Sequence, residues 1–201
     1  MLILVWAVHF IRTEALWSAL FWSAVAVRVV LELSNSARQP HGDRVVSDRT
    51  RASLGGVFLL TAVIGFEVAF RVSSLAMPGS GRAYIVTGVT LMWLGMALRQ
   101  WSVHTLGRFF TFQLTVRTGQ RVVDRGPYRV VRHPSYSGML LASLGAAVAL
   151  ANWLSLFILT VPYVAATVRR IGIEEQMLRE GLGADYDSFA ATRKRLVPGV
   201  W

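Results

Sequence analysis

Apolar residues run along this chain in stretches longer than a soluble core requires. Residues 15 to 33, 53 to 76 and 84 to 103 are dominated by Leu, Val, Ala, Ile, Phe and Trp, with no more than two charged side chains in any of them. At about 1.5 Å per residue, each is long enough to cross the roughly 30 Å of bilayer hydrocarbon. A fourth apolar block, 136 to 168, is too long for one crossing and is interrupted at Ala151-Asn152-Trp153, which predicts two short helices joined as a hairpin. Within it Gly138, Ala142, Gly145 and Ala149 recur every three to four residues, a spacing that lets the hairpin arms or a neighbouring helix approach closely. The pattern predicts an all-α polytopic membrane protein with about five transmembrane helices, the last two a helical hairpin.

The polar segments between these stretches set an orientation. Segments 34 to 52, 104 to 135 and 169 to 201 fall on one side and hold 16 of the 21 Lys and Arg, against two, Arg12 and Arg82, on the other. Basic residues accumulate on the cytosolic side, so the C-terminus is expected to be cytosolic and the N-terminus external. The membrane would be the plasma membrane in a prokaryote or the endoplasmic reticulum in a eukaryote. The opening MLILVWAVHFI lacks a basic n-region and a small-residue cleavage site, so segment 1-14 is expected to be retained, as an interfacial or re-entrant piece or an extension of the first span. The chain divides into N-terminal transmembrane helices, 1-103, and a C-terminal region, 104-201, of connector, hairpin and final helix, within one integral membrane unit.

Composition agrees with the pattern: 54% of residues are hydrophobic and the mean hydropathy is +0.47. A net charge of +10 would suit a nucleic-acid binder, but the basic residues alternate with apolar runs instead of forming a stripe on a polar domain, so no nucleic-acid partner is expected. With no cysteine there is no disulfide, thiolate nucleophile or Cys-based metal site, and no metal is expected. Five charges lie within or beside the spans. Glu67 and Arg71 share a helix face and should pair; Arg28 and Arg99 should snorkel to the cytosolic interface, and Glu32 should be solvated there.

Chemistry concentrates in GRFFTFQLTVRTGQRVVDRGPYRVVRHPSYSG, a polar, aromatic, glycine-punctuated connector between two membrane hairpins. Pro134 biases His133 away from helix and suits the first turn of the following one, whose unpaired N–H groups and positive dipole end would attract a carboxylate. On the next polar segment Arg170 and Glu174 share a helix face, by themselves an ordinary ion pair of a few tenths of a kcal/mol. That helix leaves the membrane on the same side as RHPSY, so the two can bound one cytosolic pocket.

In order and spacing, TLGRFFTF, VVDRGPYRVVRHPSYSG, an apolar hairpin, RRIGIEEQML, GLGADYDSF and RLVPG resemble the isoprenylcysteine carboxyl methyltransferase family over residues 100 to 200, about half the chain. The resemblance implies an S-adenosylmethionine-dependent methyltransferase whose C-terminal half forms the cofactor pocket. It assigns cofactor contacts to Gln113, Gln120, Arg121, Val122, Val123, Tyr128, His133, Pro134, Ser135, Tyr136 and Glu174, and a substrate-side catalytic role to Arg170. Gln120 departs from the histidine of a family member, so a side-chain contact there is in doubt while a backbone contact is not.

The chemistry of that cofactor matches these residue types. Glu174 suits its ammonium, the N–H groups around RHPSY its carboxylate, and Tyr128 or Tyr136 its adenine or sulfonium. His133 is assigned to cofactor hydrogen bonding rather than base catalysis, because a carboxylate acceptor is already ionised at neutral pH. Arg170 can orient such an acceptor through its planar fork. The expected partners are membrane lipid and a lipophilic or lipidated substrate of the isoprenylcysteine type. A phospholipid amine, a small thiol or an isoprenoid acid remains an alternative acceptor, and an NADPH-dependent membrane reductase a more distant alternative activity.

Overall fold

A computed structural model describes residues 15–37, 49–111 and 119–201, with only the backbone described for 49–53. Segment 1-14, most of the first polar loop and Gln113 lie outside the described residues. Hydrocarbon offers the backbone no hydrogen-bond partner, so apolar stretches of this length fold as helices that pair their own amides. These are α1 (Ala15–Ala37), α2 (Arg49–Arg71), α3 (Gly81–Leu106), α4 (Pro134–Ala149), α5 (Trp153–Leu182) and α6 (Ala184–Thr192), with 3-10 turns at Ser73–Leu75, Gly107–Phe109 and Gly126–Arg129. The described residues form no β-strand, only two isolated bridges.

Four helices, α1, α2, α3 and α5, are long and apolar enough to cross a membrane. The fifth of the expected set, α4, has 16 residues and reaches about 24 Å. The second helix ends at Arg71 instead of 76, because the chain turns at Val72, whose carbonyl accepts a hydrogen bond from Asn152 Nδ2 at 2.8 Å. Asn152 is also the interruption that makes the hairpin. Its Oδ1 accepts the Ser155 N–H at 3.0 Å and caps α5, after Ala151 has turned the chain at a φ of 48°.

The small residues of α4 act as their spacing suggests, against α3. A Cβ on Gly88 would lie 2.5 Å from the Gly145 carbonyl, and one on Gly95 would lie 2.4 Å from Ala142 N and 2.6 Å from the Gly138 carbonyl. Backbone atoms cannot swing aside. Gly95→Ala is therefore expected to cost about 1–3 kcal/mol as overpacking, although alanine is the better helix former. Gly55→Ala, whose Cβ meets nothing within 4 Å, is the unhindered counterpart and should raise stability by up to about 1 kcal/mol. Thermal unfolding of the two variants in detergent checks the contrast.

Charges in the membrane-facing helices behave in two ways. Glu67 and Arg71 pair at 2.6 Å on an exposed face, as expected. Arg28 and Arg99 do not snorkel. Arg99 is 6% exposed and turns inward, its fork on the Glu32 carboxylate, with Nη2 2.7 Å from Oε2, and its Nη1 2.6 Å from Ser135 Oγ. Glu32 is correspondingly ion-paired rather than solvated. Arg28 donates to Ser143 Oγ from both Nη atoms at 3.2 Å and lies over the Phe58 ring at 4.2 Å. Inward pairing prevails because these helices enclose a cavity with polar partners in reach, whereas snorkelling presumes a lipid-facing side chain.

Candidate functional site

The corner that carries the site is built by chain ends meeting. Gly126, at a φ of 55°, opens the 3-10 turn that buries Tyr128. The following residues pair with the returning C-terminus: Arg132 N–H donates to the Lys194 carbonyl at 2.8 Å, His133 N–H to the Arg195 carbonyl at 2.9 Å, and Ser137 Oγ to the Leu196 carbonyl at 2.7 Å. Pro134 then starts α4. The N–H groups of Tyr136 and Ser137 donate to the His133 carbonyl at 3.0 and 3.1 Å. With the His133 amide also taken, fewer donors face outward from this helix end than the sequence suggests.

Beneath the corner lies Glu175, with no solvent exposure. It accepts hydrogen bonds from Arg132 Nε at 2.8 Å and from Arg195 Nη2 and Nε at 2.9 and 3.1 Å, and His133 Nε2 lies 3.3 Å away. Arg132 further donates from Nη1 to the carbonyls of Ala190 and Arg193, each at 2.6 Å. The hydrogen bond to Glu175 raises the Arg195 pKa further above its ordinary value. This carboxylate ties α5, the RHPSY corner and the C-terminal segment together. It was not among the residues singled out by sequence.

Glu174, one residue earlier and rotated about 100° around α5, faces the other way. Its Oε2 accepts the Tyr136 hydroxyl at 2.7 Å, and the same hydroxyl accepts from Arg170 Nε at 2.8 Å. The pair that spacing would join directly is thus linked through a tyrosine from α4. His133, 5% exposed, is held with Nδ1 3.8 Å from Glu174 and Nε2 towards Glu175.

These groups line a cavity of about 630 Å³, within the roughly 300–1,000 Å³ typical of small-molecule sites. Gln120, Arg121, Val122, Val123, Tyr128, His133, Ser135, Tyr136, Arg170 and Glu174 all face it; Pro134 is buried at the helix start and does not. Next to Glu174 the wall is an aromatic cluster of Tyr128, Tyr186 and Phe189 with Val122, Val123, Leu178 and Leu182. Burial, then the Glu174 charge, push the Tyr128 pKa far up, so its phenol stays neutral. The buried Tyr186 hydroxyl has no hydrogen-bond partner among the described residues. Away from the corner the cavity continues between α1, α2 and α5, past Phe21, Val25, Phe58, Phe66, Leu159 and Tyr163.

The part-exposed Glu174 carboxylate faces the cavity, and an aromatic compartment with one hydroxyl unmatched among the described residues adjoins it. Sequence reasoning placed Arg99 and Glu32 at the interface and missed Glu175, because their roles depend on contacts between distant segments, and it noticed the GLGADYDSF motif without a role for Tyr186.

Comparison with known proteins gives concordant results. The family model described as phospholipid methyltransferase matches residues 83–185. Protein-S-isoprenylcysteine O-methyltransferase B of Arabidopsis thaliana is 36% identical over 115 residues, covering 56% of this chain and 58% of the relative. Methyltransferase A of the same plant is 32% identical over 130 residues, 63% of this chain and 66% of that protein. Among solved structures, the eukaryotic intramembrane Ras methyltransferase, isoprenylcysteine carboxyl methyltransferase, aligns with a TM-score of 0.54 and 25% identity over 75% of this chain and 51% of its own. The chain spans just over half the length of the first of these relatives and of the solved structure.

Proposed function

The chain belongs to the phospholipid methyltransferase family, and from that premise we propose that it transfers a methyl group from S-adenosylmethionine to the carboxylate of a lipophilic acceptor of the isoprenylcysteine type. The observation that carries this reading is the line of Arg170, Tyr136 and Glu174 across one cavity that is polar at the corner and largely apolar between the helices, where Phe21, Val25, Phe58, Phe66 and Leu159 line it. Glu174 would hold the donor's ammonium, and the aromatic compartment of Tyr128, Tyr186 and Phe189 would hold its adenine. When bound, the donor supplies an electrophilic methyl on a sulfonium.

The residues of this chain then have a positioning task. An ionised carboxylate needs no general base, and His133, engaged with Glu174 and Glu175, is not required as one. Arg170, 4% exposed, can fix the plane of the acceptor carboxylate, and the cavity walls exclude water from the reacting atoms. The acceptor would enter from the bilayer between the helices, which accounts for a methyltransferase built from membrane helices.

The test is transfer of labelled methyl from S-adenosylmethionine to lipophilic acids, thiols and phospholipid amines in liposomes. Label on the acids is expected; label on amines or thiols alone would move the acceptor to those classes. Binding of NADPH in place of S-adenosylhomocysteine would overturn the activity. The reading also requires the corner to face the cytosol, where the donor is made. A tag at the C-terminus should be accessible from the cytosol and one near residue 80 from the opposite side; a C-terminus labelled from outside would sink it.

A further inference from the structure

Away from the corner the cavity comes to an end at one level of the bundle. Ser135 on α4 and Arg170 on α5 mark the corner, and Glu32 on α1 is tied to it through Arg99, which also holds Ser135. Eleven residues along each helix from these three positions, about three turns, stand Ala146, Leu159 and Phe21. Among the described residues they are the last of their helices to line the cavity; on α2 and α3 the lining stops at Phe66 and Met92.

These end residues close on one another. The Phe66 ring lies 5.9 Å from that of Phe21 and stacks on Trp22 at 5.6 Å. Next to it α2 and α5 approach closely: Ser155 Oγ donates to the Gly65 carbonyl at 2.7 Å, and a Cβ on Gly65 would fall 1.7 Å from Leu159 Cδ1. Leu159 therefore rests on the Gly65 backbone. Phe21, Met92 and Ala146 belong to the buried core, which continues past the cavity through Val89, Ile85 and Ala149. There Gly88 and Gly145 bring α3 and α4 together, so the cavity stops where packing begins. The exposed lining residues, Val29, Leu33 and Leu59, lie nearer the corner. The cavity thus opens between the helices in that half and is blind in the other.

We propose that Phe21, Phe66 and Leu159 form the floor of a tail channel and set the longest hydrocarbon tail that the acceptor can carry. The inference rests on the reading of the acceptor as lipophilic with its polar group at the corner, and not on methyl transfer. A tail drawn from the bilayer gains only packing contacts, because lipid is as apolar as the channel, so affinity should change little with length until the floor is met. A further methylene must then force side chains of a packed core off their rotamers, which is unfavourable. Phe21 and Phe66 precede residue 83, where the family match begins, so two of the three floor residues lie outside the matched segment.

N-acetylcysteines with S-linked octyl, decyl, dodecyl, tetradecyl, hexadecyl and eicosyl chains supply a length series. Displacement of the tritiated octyl compound from purified protein in nanodiscs is measured without methyl donor, with concentrations expressed as mole fractions of the lipid. Affinity should be level for the shorter tails and then fall at least tenfold between neighbouring members. Phe66→Ala, which removes a floor ring, should move the fall to a longer tail. Val25→Phe, which fills the channel about one helical turn before Phe21, should move it to a shorter one. Level affinity through eicosyl in the unaltered protein would mean that tails run out between the helices into the bilayer, and overturns the proposal. So does a fall that neither variant moves; the unaltered protein can refute the floor alone, and either variant can if the other does not fold. No saturable binding anywhere in the series overturns the lipophilic acceptor and the floor together. Titration of the same preparation with S-adenosylhomocysteine reports on the methyl donor independently, so either reading can fail alone.

Discussion

Glu175→Gln is expected to destabilise the folded protein by about 3–5 kcal/mol, the range for breaking a buried ion cluster by removing one partner. Glu175 is fully buried and receives Arg132, Arg195 and His133. A glutamine keeps one acceptor and turns an NH₂ towards groups that are themselves donors, leaving two guanidinium ions without a counter-charge. Glu174→Gln should act differently, because that carboxylate is part-exposed and faces the cavity. On the proposed reading its loss would remove a charge-assisted hydrogen bond to the donor's ammonium, about 1.5–3 kcal/mol of affinity, with little change in unfolding. Denaturant unfolding in detergent and S-adenosylmethionine titration of both variants give the crossed result. If Glu175→Gln unfolds like the unaltered protein, the Arg132 contacts to the Ala190 and Arg193 carbonyls are sufficient to hold the corner.

The same pair of glutamates shows where a sequence stops being legible. Unbroken apolar length is enough to place α1, α2, α3 and the hairpin, because hydrocarbon leaves helix as the available backbone solution. The turn at Ala151-Asn152 was visible because an amide side chain inside an apolar run has few places to go but a cap. The residues assigned through resemblance gather around one cavity, apart from Pro134 and from Gln113, which is outside the described residues. Adjacent glutamates on a helix, however, point about 100° apart. Which one is buried depends on Arg195 returning from the chain's end, a contact across 20 residues that no local pattern announces. Arg99 and Glu32 are 67 residues apart, and each alone looks like a side chain bound for the interface. Their pairing follows from α1 and α3 packing against one another.

Arg170→Lys is expected to lower turnover on a carboxylate acceptor tenfold or more, equivalent to at least about 1.4 kcal/mol of transition-state positioning. In the structure Arg170 Nε is already committed to the Tyr136 hydroxyl at 2.8 Å, and that hydroxyl donates to Glu174 at 2.7 Å. The tyrosine holds the guanidinium in a set plane while it links Arg170 to Glu174, the residues proposed for the acceptor and donor sides of the cavity. A lysine keeps the charge, so it can still attract a carboxylate, but an ammonium has no plane to impose. Methyl transfer needs oxygen, carbon and sulfur in line, so the loss should fall on kcat more than on KM. Tyr136→Phe supplies the complementary case: the fork is intact but unanchored, and the loss on a carboxylate should be in the same direction and smaller. Thiol and amine acceptors, which have no carboxylate plane to fix, should respond far less to Arg170→Lys. Rates on a carboxylate, a thiol and an amine acceptor, measured for both variants with S-adenosylmethionine saturating, check these expectations. A lysine variant that methylates the carboxylate as fast as the unaltered protein, or that loses activity equally on all three acceptors, would remove Arg170 from the orienting role and with it the reason for preferring a carboxylate over the other acceptor classes.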